Sequence, residues 1–165
     1  MRYVLVGAVL TLVLAPVAFG QLGSAPSGDQ RVKKALDELE LKYTIDSDGD
    51  FKLTFEFEDG RSQLCFINSN TETFKNLEIR EVWAPGYKSD GPFSATVANK
   101  LLEDSFKKKL GAWQTMTSDD GTYLAVFAAK IDAACDAPSL HACIKAVISA
   151  ADDMEESLTG DKDEF

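Results

Sequence analysis

Three carboxylates at alternate positions could bind a metal ion: Asp46, Asp48 and Asp50, in the stretch Ile45-Asp46-Ser47-Asp48-Gly49-Asp50-Phe51. Alternating oxygen ligands are typical of EF-hand calcium loops, which also need glycine at position six and glutamate at position twelve. Counted from Asp46, the glycine falls at position four, and phenylalanine occupies positions six and twelve. Because Asp-Gly readily adopts the positive φ angles of a tight hairpin, the sequence predicts a turn between two strands. Calcium binding or carboxylate-dependent hydrolysis at Asp46–Asp50 is the alternative.

Few other residues could carry out catalysis. His141 is the one histidine of the chain, which excludes a histidine-rich zinc site and disfavours a Ser-His-Asp triad. The sequence has neither the Gly-x-x-x-x-Gly-Lys loop nor the Gly-x-Gly-x-x-Gly turn of nucleotide-binding proteins. We therefore predict a protein that is not an enzyme, with no catalytic residue, no metal site and no cofactor.

The N-terminal segment has the features of a secretory signal peptide. Arg2 precedes an apolar run from Val4 to Ala15, and Ala18-Phe19-Gly20 offers a small-residue cleavage site. We predict that residues 1–20 are removed, that residues 21–28 form a flexible leader, and that the protein is periplasmic or secreted. Since the run is shorter than the roughly 20 residues of a membrane-spanning helix, no stable membrane insertion is expected after cleavage.

The remaining chain is long enough for one domain, which we place at residues 29–158, followed by an acidic tail at residues 159–165. The sequence contains 17 basic and 27 acidic residues, for a net charge of −10. Nucleic acids and anionic membranes bind basic surfaces, so the acidic balance argues against both as partners. A protein partner, or a second copy of the chain, is predicted instead.

Export would place the three cysteines in an oxidising compartment. Cys135 and Cys143 are separated by a short segment that contains Pro138, and we predict a disulfide between them. Pairing of either one with Cys65 is also open. The alternative for Cys143 is a small core residue on the apolar stripe of the last helix.

Periodicity predicts three helices and two groups of strands. Apolar stripes with helical spacing run from Val32 to Leu39, from Val97 to Phe106 and from Leu140 to Leu158. Ser27 and Ser94 are predicted to cap the first two helices, and Gly111 to end the second. The predicted strands are Phe51–Phe57, Gln63–Ile67 and Leu77–Trp83 before the second helix, and Trp113–Thr117 and Thr122–Ile131 after it. We interpret residues 68–73 as a polar loop and the acidic tail as frayed.

This order predicts an α+β fold, α-β-β-β(β)-α-β-β-α, in which an antiparallel β-sheet carries helices mainly on one face. The last strand is apolar on both sides, because Leu124 and Val126 alternate with Tyr123 and Phe127. Either helices flank both faces of the sheet or the second face meets another subunit. We predict a homodimer.

Five residues are predicted to contact a partner. Trp83 and Tyr87 flank Ala84-Pro85-Gly86, which we interpret as a loop, and Phe93 follows Pro92. Aromatic side chains on such a loop offer a large contact area at modest entropic cost. Leu124 and Val126 would lie on the second face of the sheet. The alternative for Trp83 and Phe93 is that they cover the ends of the core.

Four segments resemble the YbjN-type family of bacterial proteins: Asp48-Gly49-Asp50-Phe51, Glu58-Asp59-Gly60-Arg61-Ser62-Gln63, Lys109-Leu110-Gly111-Ala112-Trp113 and Ala151-Asp152-Asp153-Met154-Glu155. The resemblance implies a fold similar to that of the type III secretion chaperones, which often dimerise, and a binding or regulatory role without an established activity. The chain departs from the family by its predicted signal peptide and by Cys135 and Cys143. Taken together, the sequence predicts a non-enzymatic, exported protein-binding or chaperone-like module.

Overall fold

The computed structural model describes residues 27–58, 60–118, 120–160 and 162–165, so the predicted signal peptide and most of the predicted leader lie outside the described residues. The elements in chain order are α1 (Gln30–Glu38), β1 (Thr44–Ile45), β2 (Phe51–Glu56), β3 (Ser62–Ile67), β4 (Glu72–Phe74), β5 (Leu77–Ser89), α2 (Ala95–Lys107), β6 (Ala112–Thr117), β7 (Tyr123–Asp132) and α3 (Ala137–Thr159). The strands form one seven-stranded antiparallel sheet in the order β1-β2-β3-β5-β7-β6, with β4 paired to β5. The predicted α+β fold is confirmed.

The three helices pack against the same face of the sheet. α3 lies across β3, β5 and β7, α1 contacts α3, and α2 lies beside β6. The core between these layers includes Leu36 of α1, Leu101 of α2, Phe127 of β7 and Ile144 of α3. No helix covers the second face within the part of the chain that the structure describes. Of the two predicted possibilities, helices on both faces do not agree with the described residues, and contact of the second face with another subunit stays a prediction.

Three of the turns between strands share one hydrogen-bond pattern. In the β1–β2 loop, the Asp46 N–H donates to the Asp50 carbonyl and the Gly49 N–H donates to the Asp46 carbonyl. The β2–β3 and β6–β7 loops repeat this pattern with Gly60 and Gly121 in the place of Gly49. All three glycines have φ between 86° and 88°, a backbone conformation that residues with a β-carbon rarely adopt. The prediction that Asp48-Gly49 forms a hairpin turn is confirmed.

The prediction that Ala84-Pro85-Gly86 ends a strand is wrong, because β5 continues to Ser89. The Glu78 carbonyl accepts from the Ala133 N–H, beyond the end of β7, and the Glu81 carbonyl accepts from the Asn68 N–H, beyond β3. Because successive residues of a strand direct their backbone groups to opposite neighbours, the nitrogen of Pro85 faces β3. At this point β3 and β5 have separated, so no N–H donor is needed. Proline is therefore tolerated in a central strand.

Three local predictions also need correction. Asp29, not Ser27, caps α1, because its carboxylate accepts from the Arg31 N–H at 2.7 Å. Part of the predicted polar loop forms strand β4, whose side chains are all exposed. α2 ends at Lys107, and Gly111 instead begins the approach to β6 at a φ of 81°. The predicted cap Ser94 is confirmed, since its side chain accepts from the Val97 N–H.

Candidate functional site: the open face of the sheet

The face of the sheet that no described helix covers is called here the open face. Its position follows from strand alternation: Ala125, Phe127 and Ala129 of β7 belong to the helix-covered core, so Leu124 and Val126 point to the opposite side. The side chains of the open face include those of Lys52, Leu64, Phe66, Trp83, Met116, Leu124, Val126 and Ala128.

Two aromatic rings form the rigid part of the open face. Phe66 of β3 and Trp83 of β5 are cross-strand partners, and their rings stack with centroids 4.3 Å apart and planes at 12°. The Trp83 indole N–H donates to Asn68 Oδ1 at 2.9 Å, which fixes the orientation of the ring. The Lys52 Nζ lies 5.9 Å from the centroid of Phe66, within reach of a cation–π attraction. A preorganised aromatic pair of this kind loses little conformational entropy when it is buried.

The aliphatic part of the open face lies on β7 and its neighbours. Leu124 is paired with Met116 of β6 and Lys88 of β5, while Val126 is paired with Gln114 and Pro85. Val126 is only 2% exposed, although no described helix covers it. Met116 is 44% exposed. Strand pairing thus places apolar residues from the aromatic pair to the edge strand on one face of the sheet.

Charged side chains of both signs border this apolar surface. Lys130 of β7 faces Glu81 of β5, with Nζ and Oε2 3.6 Å apart. Lys88 lies beside Leu124 on the same face, and its Nζ is 3.3 Å from Glu164 Oε1. Such a polar border around an apolar centre is the usual organisation of a protein–protein contact.

The five predicted partner-binding residues do not form one surface. Trp83, Leu124 and Val126 lie on the open face, whereas Tyr87 and Phe93 lie on the helix-covered side and pack against the core. The rings of Tyr87 and Phe93 have centroids 5.7 Å apart. The interpretation of Phe93 as cover for the end of the core is therefore the one that agrees with the structure.

Three large apolar residues of the open face were not among the predicted partner-binding residues: Leu64, Phe66 and Met116. A signal for the first two was present, because the strand Gln63–Ile67 is apolar on both sides in the same way as Tyr123–Ile131. Met116 is separated from other apolar residues by threonines, and only its pairing with Leu124 places it on this face.

In the loop of residues 46–50, the carboxylates of Asp46 and Asp50 accept hydrogen bonds from backbone N–H groups. Asp46 Oδ1 accepts from the Asp48 and Asp50 N–H groups, each at 3.0 Å, and Asp50 Oδ1 accepts from the Ser69 N–H at 2.6 Å. Burial raises the pKa of Asp50, and the carboxylates of Asp46 and Asp48 act in the same direction. Among the described residues, no group of three or more His, Cys, Asp or Glu side chains is arranged to hold a metal ion. The geometry thus gives no support to a calcium or hydrolase site at this loop.

The predicted disulfide between Cys135 and Cys143 is wrong, because Cys65, Cys135 and Cys143 are free thiols and none lies at disulfide distance from another. Cys143 belongs to the buried stripe of α3, as the alternative interpretation held, whereas Cys135 lies before the helix and is partly exposed. Burial raises the pKa of Cys143 to about 12, and burial also raises the pKa of Cys65. Neither thiol is therefore suited to act as a nucleophile.

Comparison with solved structures gives a likeness of fold. No protein-family model matches the sequence, and no curated protein matches it. Among solved structures, the crystal structure of YbjN from E. coli matches with 10% sequence identity and a TM-score of 0.44, over 77% of this chain and 89% of that chain. A likeness at this level identifies no ligand and no partner.

Within the described residues, no helix is both long and apolar enough to cross a membrane. The longest of them, α3, has 23 residues, but it carries charged side chains along its exposed side.

Proposed function

We propose that this chain is an exported, non-enzymatic protein-binding module that buries its open face against a second copy of itself. The observation that carries the proposal is the apolar character of the face that no described helix covers, where Phe66, Trp83 and Leu124 are partly exposed and Met116 is 44% exposed. An antiparallel sheet with one solvated face normally alternates apolar and polar residues, and β7 does not. Removing apolar area from water contributes roughly 25 cal/mol for each Å², and the entropic cost of association offsets part of this contribution.

The choice of a second copy rests on the shape and charge of the open face. A two-fold axis through a sheet face brings the same surface of both protomers together, so the apolar centre contacts itself. The border carries Lys52, Lys88 and Lys130 together with Glu81, so a rotated copy can place opposite charges against each other. A partner that recognises lysines alone would be acidic throughout, and the mixed border does not favour it.

Export is supported by the sequence of residues 2–20, with one basic residue, an apolar run and a small-residue end. N-terminal sequencing of the protein recovered from the extracytoplasmic fraction tests this part of the proposal. A new N-terminus at or near Gln21 is expected, and an intact Met1 would contradict it. In that compartment, a chaperone-like role would use the same open face.

A photo-crosslinking amino acid at Leu124 tests the binding surface directly. Phe106 is the matched control position, because it is 93% exposed but lies on α2, on the other side of the sheet. We expect crosslinks between two copies from Leu124 and not from Phe106. Crosslinks from Leu124 to a different protein would replace the second copy by that partner. Equal crosslinking from the two positions, or none from Leu124, would overturn the proposed surface.

A further inference from the structure

Strands β3 and β5 are joined at one end only. Their paired residues are Phe66 with Trp83 and Ile67 with Val82, and beyond these the strands separate. The pairing of β5 with β7 also shifts register between Pro85 and Tyr87. We call the gap between residues 62–65 of β3 and residues 85–88 of β5 the fork.

Strand pairing does not supply hydrogen-bond partners for all the polar groups inside the fork. The Gln63 side chain, which is fully buried, donates from Nε2 to the Pro85 carbonyl at 2.7 Å. Gln63 Oε1 accepts no hydrogen bond from any residue that the structure describes. A buried acceptor without a donor costs free energy.

Residues 162–164 of the chain lie at the mouth of the fork and contact both of its strands. The Ser62 N–H, which alternation directs toward β5, donates to both carboxylate oxygens of Asp163, at 3.2 and 3.1 Å. The Ser62 hydroxyl donates to Asp163 Oδ2 at 3.2 Å. Across the fork, Lys88 Nζ lies 3.3 Å from Glu164 Oε1. The interpretation of this tail as frayed is therefore wrong for these residues.

Arg61 and Glu155 hold the backbone of the same segment. Arg61 Nη1 donates to the Lys162 carbonyl at 3.2 Å, and the Glu164 N–H donates to Glu155 Oε1 at 2.7 Å. Arg61 is itself fixed by Glu155 at 3.1 Å and by Asp152 at 2.7 Å. These backbone contacts are open to any sequence, whereas Ser62 and Lys88 require carboxylates.

We propose that the mouth of the fork is a binding site for an extended acidic peptide with the order Asp-Glu, and that residues 162–164 are its intramolecular occupant. Side chains of Arg61 and Glu155 bond to the peptide backbone, while Ser62 and Lys88 bond to its carboxylates. Lys162, Asp163 and Glu164 are themselves exposed, and the side chain of Lys88 is 44% exposed, so a competing segment can reach this site from solvent. An acidic segment of another protein would compete with them for the same donors.

Nuclear magnetic resonance of the ¹⁵N-labelled full chain tests the site. The variant Asp163→Ala with Glu164→Ala vacates the mouth of the fork, and Asp153→Ala, an exposed carboxylate at the same end of α3, is the matched control. The probe is the peptide Gly-Asp-Lys-Asp-Glu-Phe, which has the sequence of residues 160–165. The comparison peptide Gly-Asp-Lys-Ala-Ala-Phe lacks both carboxylates of the Asp-Glu pair.

We expect the Ser62 amide of the vacated variant to shift saturably with the probe and not with the comparison peptide. The control variant should bind the probe with an apparent affinity roughly tenfold weaker than that of the vacated variant. Its own residues 162–164 compete for the site at a millimolar effective concentration. No shift of Ser62 at millimolar probe, or equal shifts with the two peptides, would overturn the proposal. The isosteric pair Asp163→Asn with Glu164→Gln repeats the test if the alanine variant does not give a folded spectrum.

Discussion

Asp29 is expected to make a large contribution to stability for a residue near the start of the described chain. Its carboxylate caps α1 and also accepts from Arg80 Nη2 at 2.6 Å, while Arg80 is only 2% exposed. Arg80 has the carbonyls of Asn68 and Ser69 as further acceptors, but Asp29 is its ion-pair partner. The substitution Asp29→Ala removes the cap and the counter-charge together, whereas Asp29→Asn retains a side-chain oxygen for the cap.

The magnitude follows from the two roles. Loss of a helix cap costs about 1 kcal/mol. Removing one partner of a buried ion pair costs about 3 kcal/mol at the lower end of the usual range, which suits an arginine that keeps its carbonyl acceptors. We therefore expect Asp29→Ala to lower the free energy of unfolding by about 4 kcal/mol and Asp29→Asn by about 3 kcal/mol.

Urea unfolding followed by circular dichroism measures these differences, with Asp37→Ala as the control because its pair with Lys33 is exposed. Hydrogen bonds from Arg31 and then from Arg80 hold the pKa of Asp29 well below its ordinary value of 3.8. The contribution of its charge is thus present above that pH and is lost as the pH falls below it. An Asp29→Asn variant as stable as wild type at neutral pH, or a difference that does not shrink in acid, would refute this reasoning.

Three further results are expected. Burial raises the pKa of Glu155 above its ordinary 4.5, so the free energy of unfolding should fall as the pH rises through the interval above 4.5. Urea titrations at several pH values should show that Glu155→Gln removes this loss. Identical pH profiles of the wild type and the variant would contradict the assignment. Ellman's reagent should modify the partly exposed Cys135 in the native protein and the buried Cys143 only after unfolding, and equal rates would be inconsistent with their burial. Gly86→Ala would place a β-carbon 2.6 Å from the indole ring of β6 and should lower the free energy of unfolding by about 1–3 kcal/mol. Gly91→Ala, which meets no atom within 4 Å, is its control, and the explanation fails if the two variants are equally stable.

Elements defined by local periodicity were predictable from the sequence. The stripe from Leu140 to Leu158 became α3, and the alternation from Phe51 became β2, because burial of one face repeats at the period of each element. Strand β4 was missed since it has three residues, all exposed, and exists only through its pairing with β5. Pro85 was misinterpreted because its tolerance depends on a separation between strands that no local pattern records.

The candidate site was predictable in part for the same reason. Leu124 and Val126 were assigned to the second face from alternation alone, and the structure places them there. Tyr87 and Phe93 were grouped with Trp83 by nearness in sequence, although they face the helices. The docking of residues 162–164 depends on Arg61 and Ser62, which are about one hundred residues away along the chain. Sequence spacing therefore gave no indication of this docking.

Sedimentation velocity of the mature chain tests the central claim, that the open face binds a second copy, most directly. Wild type should sediment as a dimer, and so should Phe106→Lys, whose substitution lies on α2. Leu124→Lys places a charge in the apolar centre of the open face and should sediment as a monomer with an unchanged circular dichroism spectrum. Monomeric wild-type protein, or a Leu124→Lys variant that remains dimeric, would contradict the account.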